Sequence, residues 1–319
     1  MSLQRLFLVF FVCLSACTHH QAKTDYGTKR IVLSFDDAPR GDGPRFTGEA
    51  RTKALIVQLT EAETGPVAMF VTTQGFNALL GKQRILDYVN AGHIIANHSD
   101  KHMWASRSDI FDYIADIDLA SRKLDDVPNK RAWYRFPFLD EGGLGKHNRD
   151  GVRRDALRSA LDERGLINAY VTIDTYDWHL EQMWSNAVED ERTIDMSQLS
   201  KLYVAMVLDA VNHYDALAIE VLGRRPAQVL LLHENDLAAS FTVDMVHALR
   251  DEGWTIIHPD EAYSDPIAKQ IPETLFSGMG RVAALAADKG LRGADVFDHW
   301  SASENGIAEK ADQFGVFGD

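Results

Sequence analysis

The chain has 319 residues, 45% hydrophobic and 25% charged, which excludes a disordered chain and leaves room for one large α/β domain with additions, or for two small ones. Its formal net charge of −14 argues against a nucleic-acid partner, which would favour a basic surface, and makes strongly anionic polymers less natural substrates, although charge distribution matters more than the total. Beyond the N-terminal segment no stretch is long and apolar enough to cross a bilayer.

The first predicted element is an export segment. Arg5 supplies a short positive region, Leu6 to Leu14 is apolar, Ser15 and Ala16 are small, and Cys17 follows. Leu14-Ser15-Ala16-Cys17 resembles a bacterial lipobox, in which the cysteine is lipidated and becomes the new N-terminus; the plainer alternative is a secretory signal with an incidental cysteine. The lipobox resemblance implies an exported protein lipid-anchored in the cell envelope. Thr18 after the cysteine then fits the outer membrane of a Gram-negative bacterium, with residues 18–28 as a polar tether. Both cysteines, Cys13 and Cys17, lie in this segment, so any metal in the mature domain must be held by nitrogen and oxygen.

Seven apolar, β-branched-rich runs follow: 31–36, 67–72, 93–97, 132–137, 169–174, 229–233 and 254–258. Helical patterns lie between most of them. The clearest is Leu199, Leu202, Tyr203, Met206, Val207, Ala210, Val211 and Tyr214, spaced as one helix face. Alternating strand and helix predicts βα units around a parallel sheet, either doubly wound or closed as a barrel; periodicity does not choose between them. Residues 139–155 read as an exposed charged loop, and 179–197 as a polar, acidic insertion. After Pro266 the strand pattern stops, leaving a weak alanine-rich helical stretch near Val282–Ala287 and a mixed tail.

The chemistry-bearing residues sit where these runs end. Asp36 and Asp37 close the first run, and two adjacent carboxylates at a strand end need a metal or an arginine. His98 and His102 follow the third; at that spacing they can face one ion from a helical turn. Arg135, embedded in the fourth, needs an anion, and the free carboxylate of the Asp pair is the natural one. Asp177 and Trp178 follow the fifth, a carboxylate that can orient a histidine beside an aromatic that can wall a sugar cleft. His233 ends the sixth and can serve as a general acid. Taken singly, each has a bland explanation: a solvated strand exit, surface histidines, an edge-strand arginine, a helix cap, a satisfied core histidine. Five such elements of complementary chemistry at five strand ends are not an accident. One Asp with two His gives three N/O ligands and an open position, the arrangement of a catalytic rather than structural zinc.

The ordered set resembles the polysaccharide deacetylases of carbohydrate esterase family 4. Ser-Phe-Asp-Asp-Ala-Pro at 34–39, His-Ser-x-x-His at 98–102, Arg-Phe-Pro-Phe at 135–138, Asp-x-x-Asp-Trp at 174–178 and Leu-x-x-His at 230–233 match its five motifs in order. The resemblance implies a distorted (β/α)7 barrel over residues 29–264, with 1–16 as signal peptide, 17–28 as lipidated cysteine and tether, and 265–319 as an extension of unknown role. It implies Asp37, His98 and His102 as ligands of zinc or another divalent metal, Asp36 as general base and Arg135 as its partner. It further implies the Phe138 backbone N–H in the oxyanion hole, Asp177 tuning the general acid His233, and Trp178 lining the substrate pocket. The implied substrate is an acetylated glycan, most naturally an N-acetylated amino sugar in a chitin-like, peptidoglycan or surface polymer. O-deacetylation of a xylan-like glycan, a non-catalytic carbohydrate-binding protein and a metal-free relative acting on cyclic amides are the alternatives. Ala38 stands where glycine is usual in the family, and Leu139 where glycine is common.

Overall fold

The computed structural model describes residues 26–143, 151–275 and 278–318. The export segment with Cys13 and Cys17 lies outside the described residues, as does part of the expected 139–155 loop.

The elements alternate as the pattern predicts: β1 (Arg30–Ala38), α1 (Gly48–Glu61), β2 (Ala68–Val71), α2 (Gly81–Asn90), β3 (Ile94–Asn97), α3 (Ile110–Lys123), β4 (Lys130–Tyr134), α4 (Gly151–Glu163), β5 (Ile167–Asn168). They continue with α5 (Asp177–Glu189), α6 (Met196–Leu222), β6 (Gln228–His233), α7 (Asp236–Asp251) and β7 (Thr255–Ile256). The strands form one parallel sheet in the order β5-β4-β3-β2-β1-β6, with β7 against the start of β1. Residues 172–173 bring the far edge round. Thr172 N–H donates to Val229 O at 3.0 Å, and Leu231 N–H donates to Ile173 O at 3.0 Å. The segment that begins as β5 beside β4 therefore ends beside β6, and the sheet curls into a distorted βα barrel.

Each local choice has a visible cause. Thr47, Asp109, Asp195 and Asn235 cap α1, α3, α6 and α7 by accepting backbone N–H bonds. Helix α6 stops at Gly223 in a left-handed conformation. All eight residues of the predicted α6 stripe are buried, each apolar side chain contributing roughly 1.5–3 kcal/mol of gross burial energy. Ile31, Val32, Leu33 and Phe35 of β1 are fully buried, as a central strand covered on both faces must be.

Three expectations change. Residues 179–197 are mostly helix: α5 runs to Glu189, because Leu180, Trp184 and Ala187 form a buried stripe within an otherwise polar sequence. The 139–155 loop is shorter than expected, since α4 begins at Gly151. After the short α8 (Pro259–Ala262) that closes the domain, the tail is a built element rather than a mixed one, comprising α9 (Gly280–Asp288), α10 (Ala294–Phe297) and α11 (Glu304–Phe314). Arg281 N–H donates to Val171 O at 2.7 Å, and Asp195 N–H donates to Val316 O at 2.9 Å. Gly280, at φ 83°, sits so close that a Cβ there would stand 2.8 Å from Val171 O.

Candidate active site

The C-terminal ends of β1, β3, β4 and β6 and the segment after β5 open into one cleft of about 580 Å³, a volume typical of a small-ligand site. Asp36, Asp37, His98, His102, Phe138, Trp178 and His233 all line it. Arg135 lies beneath it and Asp177 behind His233, both buried.

Alternation along a strand should send Asp36 and Asp37 to opposite faces. Both reach the cleft because β1 is irregular there: its register with β2 shifts between Phe35 and Ala38, and Asp37 adopts φ 69°. Asp36 is nearly fully buried and meets the Arg135 guanidinium, whose Nη1 stands 2.5 Å from Asp36 Oδ1. That guanidinium also donates to Ser34 Oγ at 3.0 Å, Ala169 O at 3.0 Å and Tyr263 Oη at 2.8 Å, and it lies flat on Phe70. Asp36 is therefore a paired, oriented carboxylate, and removing either partner strands a buried charge.

The histidines do not stand on a helical turn. Residues 98–102 form a loop with Ser99 at φ 74° and His102 at φ 54°. Side chains hold this strained path. Asn97 Oδ1 accepts from Ser99 N–H at 2.7 Å, Ser99 Oγ accepts from His102 N–H at 2.9 Å, and Asp116 accepts from Asp100 N–H at 2.8 Å. His98 Nδ1 lies 2.9 Å from Arg135 O, and a carbonyl can only accept, so Nδ1 carries a proton and Nε2 is the atom turned towards the carboxylates. Burial pushes His102 down to about 4, outweighing the Asp37 carboxylate, so this ring is neutral near pH 7.

Asp37 Oδ1 is 3.2 Å from His102 Nε2 and 3.6 Å from His98 Nε2, and one ligand atom from each residue falls within 4.8 Å of the others. Two ligands on a tetrahedral zinc stand about 3.3 Å apart, so these spacings fit a shared cation. Asp37 Oδ1 is also buried without a hydrogen-bond partner among the described residues. Burial by itself would raise the Asp37 carboxyl, yet its basic surroundings, charged His233 and Arg40 among them, hold it well below the usual carboxylate range. An unpartnered carboxylate oxygen facing two imidazole Nε2 atoms is what a divalent metal would satisfy.

Opposite, His233 Nδ1 is 2.6 Å from Asp177 Oδ1, while Asp177 Oδ2 accepts from His233 N–H and Asn235 Nδ2, each at 2.9 Å. Burial opposes the charged imidazole, but the Asp177 carboxylate, with Asp37 and Asp36, raises it to about 9. With Nδ1 held by Asp177, Nε2 is the atom free to give a proton.

The structure thus brings together every residue singled out in the sequence after the export segment. Others were missed. Tyr263 steadies Arg135 from the turn after α8, where no motif marks it. Asp174 lines the cleft, and burial raises its carboxyl to about 8. Trp104 stacks on Phe138 with ring centroids 3.8 Å apart and planes 5° apart, and Phe138 meets His102 edge-on at 4.4 Å. The aromatic beside the histidine motif was a readable signal for this wall. The tail contributes Gly278 and Glu304 to the cleft, and Tyr176 N–H donates to Ser301 O at 2.8 Å.

Compared with known proteins, residues 23–150 match the sequence model of the family described as Polysaccharide deacetylase. No curated protein matches the chain. Among solved structures, it is similar to the peptidoglycan deacetylase PdaC from Bacillus subtilis (17% identity, 77% of this chain and 94% of that one, TM-score 0.47). It is also similar to a family 4 carbohydrate esterase from Streptomyces lividans in complex with acetate (18% identity, 73% and 95%, TM-score 0.44). A third is the polysaccharide deacetylase Bc1974 from Bacillus cereus (18% identity, 73% and 93%, TM-score 0.48).

Proposed function

We propose that this chain, a member of the polysaccharide deacetylase family, is a metal-dependent hydrolase that removes acetyl groups from an amino sugar in an envelope or chitin-like glycan. The observation that carries the reading is the convergence of three units in one cleft: the Asp37–His98–His102 ligand set, the Asp36–Arg135 pair and the Asp177–His233 pair.

A divalent cation, zinc by the N/O donor set, would be held by Asp37, His98 and His102, where it supplies a Lewis acid for the acetyl carbonyl and lowers the pKa of water. The protein's groups do the rest. Asp36, oriented by Arg135, takes a proton from the attacking water as its oxygen bonds to the acetyl carbon. The Phe138 backbone N–H donates to the oxyanion that develops, from a left-handed turn (φ 58°) whose residue lines the cleft. Protonated His233 gives its Nε2 proton to the amine nitrogen as the C–N bond breaks, and Asp177 stabilises the imidazolium until then. Acetate and a free amino sugar leave. Trp178, half-buried beside Tyr176, offers an apolar face to the sugar.

We also place the enzyme in the envelope through a lipid on Cys17, from the export segment's sequence. The test of function is acetate release from N-acetylglucosamine oligomers and from acetylated xylan, with and without chelator. Chelator-sensitive release from the oligomers is expected. Release from xylan alone would move the enzyme to O-acetyl esters, and no release from either would remove the proposal.

A further inference from the structure

Two arginines line the cleft without a step of their own in deacetylation, Arg40 also lying in the field of Asp37. Arg107 lies on the Trp104 ring at 4.3 Å, the outermost layer of a stack that continues through Phe138 to His102. Stacking occupies the face of a guanidinium and leaves its N–H edge free. Among the described residues Arg107 forms no ion pair, and its side chain is exposed. Arg40 is fixed by its backbone, whose N–H donates to Glu234 at 2.8 Å and whose carbonyl accepts from Arg84 at 2.7 Å. Its side chain lines the same cleft, with Nη1 buried and without a hydrogen-bond partner.

This is not a shortage of acid. Asp and Glu outnumber Lys and Arg 47 to 33 in the chain, and several arginines elsewhere are paired, among them Arg131 with Asp260, Arg158 with Glu141, Arg164 with Asp118 and Arg224 with Asp265. The cleft's own carboxylates are mostly spoken for. Asp36 faces Arg135, Asp177 faces His233, Asp37 faces the histidines, and burial keeps Asp174 protonated near neutral pH by raising it to about 8. Glu304 is the exposed acid across the cleft, on the tail. Arg40 offsets Asp37 and Glu181 yet keeps an unpartnered Nη1, and Arg107 has no carboxylate partner among the described residues; these two are the arginines of the cleft lining.

We propose that Arg40 and Arg107 form an anion subsite that binds a carboxylate on a sugar flanking the acetylated one, so that the preferred substrate is an acidic rather than a neutral glycan. Planar guanidinium edges match carboxylates in two-point contact. The inference rests on the deacetylase reading for the position of the acetylated sugar, but it concerns binding at positions outside the five motifs.

The test uses three probes on one backbone: an N-acetylglucosamine hexamer, the same hexamer with part of its C6 hydroxymethyls oxidised to carboxylates, and the methyl ester of the oxidised form. Binding is read by tryptophan fluorescence and turnover by acetate release. The oxidised hexamer is expected to bind at least about tenfold more tightly than the other two at low salt, with the advantage shrinking as salt rises. Arg107→Ala and Arg40→Ala should each remove most of that advantage, and Arg107→Lys should keep part of it. Equal or weaker binding of the oxidised form, or an advantage surviving both alanine variants, would overturn the subsite. A binding preference without acetate release from any probe would uphold the subsite while sinking the deacetylase reading, so the two failures are distinguishable.

Discussion

The strand ends and the C-terminal extension face each other across one cleft and are built by opposite rules. At the strand ends, buried polar groups are the structure. Asp36, Arg135, His98 and Asp177 are nearly inaccessible, each satisfied by a specific partner, and Asp37, Ser99, His102 and Phe138 sit in left-handed backbone. In the extension, apolar anchors do the holding: Val282, Ala283, Ala286, Ile307 and Val316 are buried in the main core, and of its described residues Gly278 and Glu304 reach the cleft. One side stores chemistry at a cost in stability; the other contributes stability and shape. Substitutions should therefore damage turnover on one side, and folding or substrate fit on the other.

The largest separation should come from His233→Gln. Loss of a general acid is worth roughly 10²–10⁴-fold in kcat, while thermal stability should fall less than in an alanine variant, because the glutamine amide can still donate to the buried Asp177 carboxylate. A melting temperature that drops sharply with little loss of turnover would make His233 a structural residue. Asp177→Asn should lower kcat less and reshape its pH profile. His233 works protonated, so the rate falls as pH rises through its pKa of about 9. Without the Asp177 charge, burial pulls that pKa down, and the falling limb should move towards or below the ordinary value of about 6.5. An unshifted limb would deny the coupling. Trp178→Ala should act mainly on KM, raising it several-fold as the sugar loses an apolar wall, with kcat changing less. Smallest for catalysis, Ile307→Ala should cost about 2–5 kcal/mol of stability while the folded fraction keeps its kcat. A normal melting temperature there would show that the extension is not anchored as described.

The same contrast explains what could be read in advance. Catalytic groups need particular residue types, so Asp-Asp, His-x-x-x-His, Arg135, Asp-Trp and His233 stand out against apolar strands. The seven apolar runs, five of which carry these groups, all became strands or strand-like pairings. How the groups converge was less legible. The β1 irregularity that sends Asp36 and Asp37 into one cleft depends on pairing with β2, and the 98–102 loop depends on Asn97, Ser99 and Asp116 rather than on a helix. The extension was least legible because a wall needs only shape and anchoring. Its small residues, such as Gly280 against Val171 O, carry no chemical signal until the opposing surface is known. Helix α5 was missed for a related reason: its buried stripe of Leu180, Trp184 and Ala187 is narrow and set among polar neighbours.

The most direct test of the account separates two neighbouring carboxylates. Asp36→Asn, Asp37→Asn and His102→Ala are each purified, their divalent metal content is measured, and acetate release is assayed on an N-acetylglucosamine oligomer. Asp36→Asn should keep about one metal per chain and lose nearly all turnover, whereas Asp37→Asn and His102→Ala should lose the metal along with turnover. Full metal content with near-normal turnover in either ligand variant, or near-normal turnover in Asp36→Asn, would contradict the division of labour at the end of β1.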